Sequence, residues 1–202
     1  KIDQHFSPIP ARPVPAPVQV PVLDSTKIKQ RQFSVEKGSD LAKFHIYMNG
    51  KNSDIAPALA LAPGLFTLQP SGSLYKSMVE TGISTAVQST TWLDQDFNLV
   101  FMGAIYAPNH DEKQVSEALT TGVEKKQAFN EVELQRLKNI TQNAADTIAN
   151  DAVALGSRLS EYVVAYSGDW SQYFKDLQAI EKLDVNQINQ VYKAFFKPEY
   201  RI

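Results

Sequence analysis

The sequence predicts an α+β domain in which helices cover one face of a mostly antiparallel sheet and the C-terminal half is helical throughout. Three observations lead there: strand-like alternation at residues 41–49, two β-rich arms around a polar turn at residues 84–106, and a run of capped helical segments from residue 109 onward. At 202 residues and 43% hydrophobic content, the chain can bury one sizeable core.

The first stretch stands apart. Ser7 to Pro21 holds six of the eleven prolines and reads as extended polyproline II, so residues 1–27 are taken as a Pro-rich linker and residues 28–202 as a single domain. Two strand-like runs follow, Lys29–Glu36 and Leu41–Asn49. In the second, Ala42, Phe44, Ile46 and Met48 alternate with Lys43, His45 and Tyr47, which places the apolar set on the buried face. Asp54–Phe66 is apolar at helical density. Pro57 suits a first turn, whereas Pro63-Gly64 is expected to break or kink the helix. Ser73–Glu80 predicts a short helix with Leu74, Met78 and Tyr75 as inward candidates.

A hairpin is expected from Ser84–Trp92 and Phe97–Tyr106 around Leu93-Asp94-Gln95-Asp96. Helices then follow, each with a start signal. Asn109 with Glu112 opens one bearing Val115, Ala118, Leu119 and Val123. Asn130 with Glu133 opens a long one bearing Leu134, Leu137, Ala144 and Ile148. The next carries Val153, Gly156, Leu159, Val163 and Tyr166, and stops at Ser167-Gly168. Asp169 is expected to cap a helix with Trp170, Tyr173, Phe174, Leu177 and Ile180. Asp184 with Gln187 opens the last, which buries Ile188, Val191, Tyr192 and Phe195 before Pro198. Aromatic residues at this spacing read as core, with some left to face a neighbouring domain.

Composition excludes several chemistries. A formal charge of −2 with interspersed signs offers no basic face for nucleic acid. No uninterrupted apolar stretch reaches about 18 residues, so no membrane partner is expected. No leader pattern is visible, and a start at Lys1 without methionine reads as a piece of a longer protein. Zero cysteines remove disulfides, thiolate metal sites and cysteine nucleophiles. His5, His45 and His110 lie tens of residues apart, with no pair at helical spacing, so no metal site is expected in this chain; His45 is read as sitting on the polar or interface face of its strand and His110 beside a helix cap. No serine elbow or phosphate-binding glycine loop occurs. The carboxylate pairs Asp94/Asp96, Asp111/Glu112 and Glu131/Glu133 fall at turns or first helical turns, where turn formation and the helix dipole explain them. Asn139-Ile140-Thr141 matches a glycosylation acceptor but falls inside a predicted helix.

Several segments, in order, carry a resemblance. His5-Phe6-Ser7-Pro8-Ile9-Pro10 resembles the Phe-Gly-x-Ile-Pro strap of pitrilysin and insulinase-type (M16) zinc peptidases, with Ser7 in place of glycine. Pro70-Ser71-Gly72-Ser73-Leu74-Tyr75-Lys76-Ser77-Met78-Val79-Glu80 is similar to that family's Pro-Ser-Gly-Arg-Leu-Tyr-Lys-x-Leu-Val-Glu, with Ser73 in place of arginine. Phe129 to Lys138 resembles its segment ending in Glu-Leu-x-Arg-x-Lys, and Leu183 to Ile188 the start of its closing helix.

The resemblance is to the non-catalytic domain. It implies a metallohydrolase-type fold of the LuxS/MPP-like kind, paired with a companion M16 domain of the same chain or a second subunit, the two enclosing a chamber for unfolded peptide. The His-x-x-Glu-His zinc motif belongs to the companion, so zinc is expected there and no cofactor, catalytic residue or metal ligand here. Ser71, Gly72, Ser73 and Tyr75 are the candidate structural or substrate-facing turn. The parent would be a zinc metalloendopeptidase and, for bacterial relatives, periplasmic or otherwise extracytoplasmic. The alternative is a non-peptidase assembly or binding subunit related to processing proteases, which an intact His-x-x-Glu-His upstream would exclude.

Overall fold

The computed structural model describes residues 7, 8, 10, 13, 16, 40–50, 55–93, 97–126 and 128–201. The expected strand Lys29–Glu36, most of the Pro-rich strap and the hairpin residues Asp94, Gln95 and Asp96 lie outside them. The architecture is α+β. Strand β1 (Leu41–Gly50) leads to helix α1 (Ala56–Thr67) and a π-helical turn (Tyr75–Val79), followed by the hairpin β2 (Ala86–Leu93) and β3 (Phe97–Tyr106). Five helices complete it: α2 (Glu112–Glu124), α3 (Glu131–Ala149), α4 (Ala152–Ala165), α5 (Gln172–Lys182) and α6 (Val185–Phe195), with a 3₁₀ turn at Pro198–Tyr200.

The sheet is antiparallel, in the order β1-β3-β2. Alternation along β3 sorts its two faces: Asn98, Val100, Met102, Ala104 and Tyr106 are buried, and Phe97, Leu99, Phe101 and Ile105 are only partly so. Helix α1 packs against β2, and α2 against β1 and β3, all on one side.

Register corrects the expected orientation of β1. His45 pairs with Met102 and Tyr47 with Val100, so Lys43, His45 and Tyr47 face the helices. Phe44 points the other way and remains 41% exposed, its ring over Gly103, where an added Cβ would lie 2.4 Å from the ring. Lys43 Nζ donates to Glu112 Oε1 (2.8 Å), His45 Nε2 lies 3.2 Å from Ser116 Oγ, and Tyr47 OH reaches Glu124 Oε1 (2.9 Å). Matched spacings account for the first two contacts, since two residues of strand advance about 6.6 Å and four of helix about 6 Å, while the longer Tyr47 side chain reaches two turns further along α2. Stems whose tips reach partners on α2 can line a buried face, which simple alternation does not reveal, although His45 Nδ1 has no hydrogen-bond partner among the described residues.

Helix α1 also differs from expectation. Pro57 sits in its first turn, but Pro63 does not end it. An interior proline costs about 3 kcal/mol. Leu65 and Phe66, both essentially inaccessible, return about 1.5–3 kcal/mol each on burial. Phe66 is the hub of the core, its ring centroid 5.0 Å from Phe129, 5.7 Å from Tyr192 and 5.1 Å from Phe196.

The later helices form where their caps lie, with two shifts. Asn130 and Glu133 exchange backbone bonds (2.9 and 3.0 Å), as do Asp184 and Gln187 (2.8 and 2.9 Å), so both expected capping boxes are present. The cap of α2 is Asp111, not Asn109, because His110 N–H turns back to the Ala107 carbonyl and keeps Asn109 inside a turn. Ser171 precedes α5, while Asp169 accepts from Ser171 and pairs with Lys175 at 2.8 Å. On α3 the inward alanine is Ala145 rather than Ala144. Helix α6 buries Ile188, Val191, Tyr192 and Phe195 as expected, and Tyr192 OH donates to the carbonyls of Val123 (2.9 Å) and Lys126 (2.7 Å). Helix α4 exists, but none of its residues is buried.

Candidate functional site

The Ser71-Gly72-Ser73 turn links α1 to the π-helical turn and is pinned to α2. At Gly72 an added Cβ would lie 2.4 Å from the Phe66 carbonyl oxygen, so only glycine fits against the end of α1. Ser73 Oγ donates to the Gly122 carbonyl (3.0 Å), and Leu74 lies so close to Gly122 that a Cβ there would sit 2.5 Å from its methyl. Tyr75 is half-buried on the π-helical turn. Among the described residues no histidine or carboxylate bonds to these hydroxyls.

A second concave feature, not foreseen from sequence, is larger. A cleft of about 890 Å³ separates α1 and β2 from α4. Ser89, Thr91 and Trp92 line its strand side, and Tyr162 and Tyr166 its helix side. The two tyrosines, four apart on α4, stack with centroids 5.3 Å apart. Both lie beside the Asp176 carboxylate, which accepts from Gln172 Nε2 at 2.6 Å. Burial nevertheless holds the Asp176 carboxyl above its ordinary value, and burial with the nearby Asp176 charge pushes both phenols up. This cluster and the edge contact of Tyr162 with Tyr173 fasten α4 to α5 from behind the cleft.

The histidines stand apart. His45 is buried beneath α2. Desolvation, helped by the Arg201 and Lys43 charges, pushes its imidazole down to about 4, so it is neutral near pH 7. His110 sits in the turn before α2, and His5 lies outside the described residues. Among the described residues no three His, Cys, Asp or Glu side chains converge as metal ligands would, and no helix is long and apolar enough to cross a membrane.

Residues 1–141 match the family model described as the peptidase M16 inactive domain. The chain belongs to this family. Membership gives the domain a non-catalytic role. Among solved structures, the M16 domain is similar to one from Bordetella parapertussis described as the inactive peptidase domain of a candidate zinc protease: TM-score 0.72, 23% identity, 84% of this chain and 91% of that one. It is also similar to a candidate zinc protease from Bordetella pertussis Tohama I (0.67, 22%, 81% and 97%). A protease from Helicobacter pylori matches at 0.67 and 18% identity over 80% of this chain, which spans 40% of that one. At these identities the likeness is one of fold. No curated protein matches the chain.

Proposed function

We propose that this domain is the structural, substrate-enclosing half of a zinc-dependent M16 endopeptidase. It pairs with a metal-bearing domain of the same chain or of a second subunit, and the two form a chamber in which unfolded peptides are cut. Zinc and the catalytic base belong to the companion. The order β1-α1-β2-β3-α2-α3 supports reading the fold as the LuxS/MPP-like type.

The observation that carries the reading is the asymmetry of the sheet. One face is sealed under α1 and α2; the other presents Phe44, Phe101 and Ile105, with Trp92 62% exposed and edge-on to Phe101. An apolar sheet face that no helix covers among the described residues suits a wall turned towards a companion domain. The Ser71–Tyr75 turn, bound to α2, then serves as a structural clamp.

The test is reconstitution. The 202-residue chain alone should not cleave an unfolded peptide. Mixed with a metal-bearing M16 domain of its parent, it should co-purify and restore cleavage that a chelator abolishes. Turnover by the chain alone, or full activity of the companion without it, would overturn the proposal.

A further inference from the structure

We propose that α4 is a hinged wall, which swings as a rigid helix towards β2 and α1 and shuts the cleft when its clasp on α5 lets go. The device stands apart from the enclosing role proposed above and holds whatever the domain pairs with.

The first support is how α4 is attached. None of its residues is buried, so it can leave its place without opening the core. Its joints are short: Asn150 and Asp151 separate it from α3, and residues 166–171 separate it from α5. At the second joint the chain turns through Ser167 (φ 52°) and Gly168 (φ 102°). Hinges of this kind take up a rotation at a few terminal residues and leave the helix between them intact.

The second support is the pair of apolar walls that face each other across the gap. Ala60 and Trp92 stand on one side, Val164 and Ala165 on the other. Trp92 is 62% exposed and Val164 76%, so closing removes from water an apolar surface that the open cleft leaves wet. The charged lining residues do not resist, since Arg158 donates to Glu161 at 2.6 Å and the pair moves with the helix.

The third support is what holds the wall back. Tyr162 and Tyr166, stacked on α4, lie beside the Asp176 carboxylate of α5, and Tyr162 packs edge-on against Tyr173. Swinging α4 towards the sheet takes both phenols from a half-buried carboxylate whose charge burial already disfavours. Apolar closure on one side and the clasp on the other give α4 two resting places, and loss of the clasp tips it shut.

The experiment is a distance measurement between spin labels on the 202-residue chain, which has no cysteine of its own to compete for the label. Thr90→Cys on β2 with Ser157→Cys on α4 spans the cleft, and Thr90→Cys with Asn143→Cys on α3 is the reference; all three positions are exposed. In Asp176→Leu the distance across the cleft should shorten by at least about 3 Å, beyond the small sliding of packed helices, with the reference distance unchanged. Adding Val164→Lys, which puts a charge into the closed contact, should restore the open distance. Tyr162→Phe with Tyr166→Phe removes the hydroxyls and keeps the rings; it should shift the distance the same way, and it reads the same motion should Asp176→Leu not fold. An unchanged distance in the clasp variants, a shift that Val164→Lys does not reverse, or an equal shift in the reference pair would overturn the inference. So would a longer, broadened distance distribution, because α4 would then be melting rather than swinging.

Discussion

Helices α1 and α4 make an instructive pair. Both are rich in alanine and other aliphatic residues, yet eight of the twelve residues of α1 are buried and none of the fourteen of α4 is. Among the described residues α1 is wrapped by β2, α3, α5 and α6, whereas α4 packs mainly on α3 and α5, and Val153 at its start is 83% exposed. Apolar periodicity says that a helix has a face to cover; it does not say whether the cover lies in the same domain. For α1 it does. For α4 attachment rests on two tyrosines and a carboxylate, and a domain built to meet a companion can leave such a helix outside its core.

The largest expected effect tests that contrast directly. Phe66→Ala removes the ring on which Phe129, Tyr192 and Phe196 converge and should cost about 3–5 kcal/mol in denaturant unfolding. Val153→Ala on α4 should cost less than about 0.5 kcal/mol, as exposed positions do. Comparable costs at the two sites would break the comparison.

Much of the inner region was legible in sequence because its signals are local. The hairpin arms, the capping boxes at Asn130 and Asp184, and the stripe Ile188, Val191, Tyr192 and Phe195 all state their own structure within a few residues. What was not legible depends on partners distant in sequence. The inward turn of His45 requires Ser116, and the continuity of α1 through Pro63 requires a core around Leu65 and Phe66. The cleft was invisible for the same reason. Its walls come from residues 60–64, 89–92 and 158–166, and no local pattern records that these segments meet.

The next effect concerns the buried face of β1. The folded protein holds His45 near 4, against an ordinary 6.5. Between those values the unfolded chain takes up a proton that the folded one refuses, so stability is complete above pH 6.5 and falls as pH drops towards 4. The gap corresponds to about 3 kcal/mol at most. Urea unfolding of the native chain should weaken across that window, and His45→Gln, which cannot titrate, should flatten that part of the profile. An identical slope in the variant would mean that His45 is not sealed beneath α2.

The smallest effect separates the two regions most finely, because the chemistry removed is the same. Asp184 caps α6, whose buried face is part of the core. Asp151 caps α4 by accepting from Val153 (2.9 Å) and Ala154 (3.1 Å). Loss of either cap weakens its helix by about 1 kcal/mol. In α6 that loss has to appear in global unfolding, since the helix cannot open without exposing Ile188 and Phe195. In α4 it need not, since the helix can fray while the core stays shut. Asp184→Ala should therefore lower the denaturant midpoint, whereas Asp151→Ala should leave it nearly unchanged and speed amide exchange within Ala152–Ala165. A global loss from Asp151→Ala would show that α4 unfolds with the core.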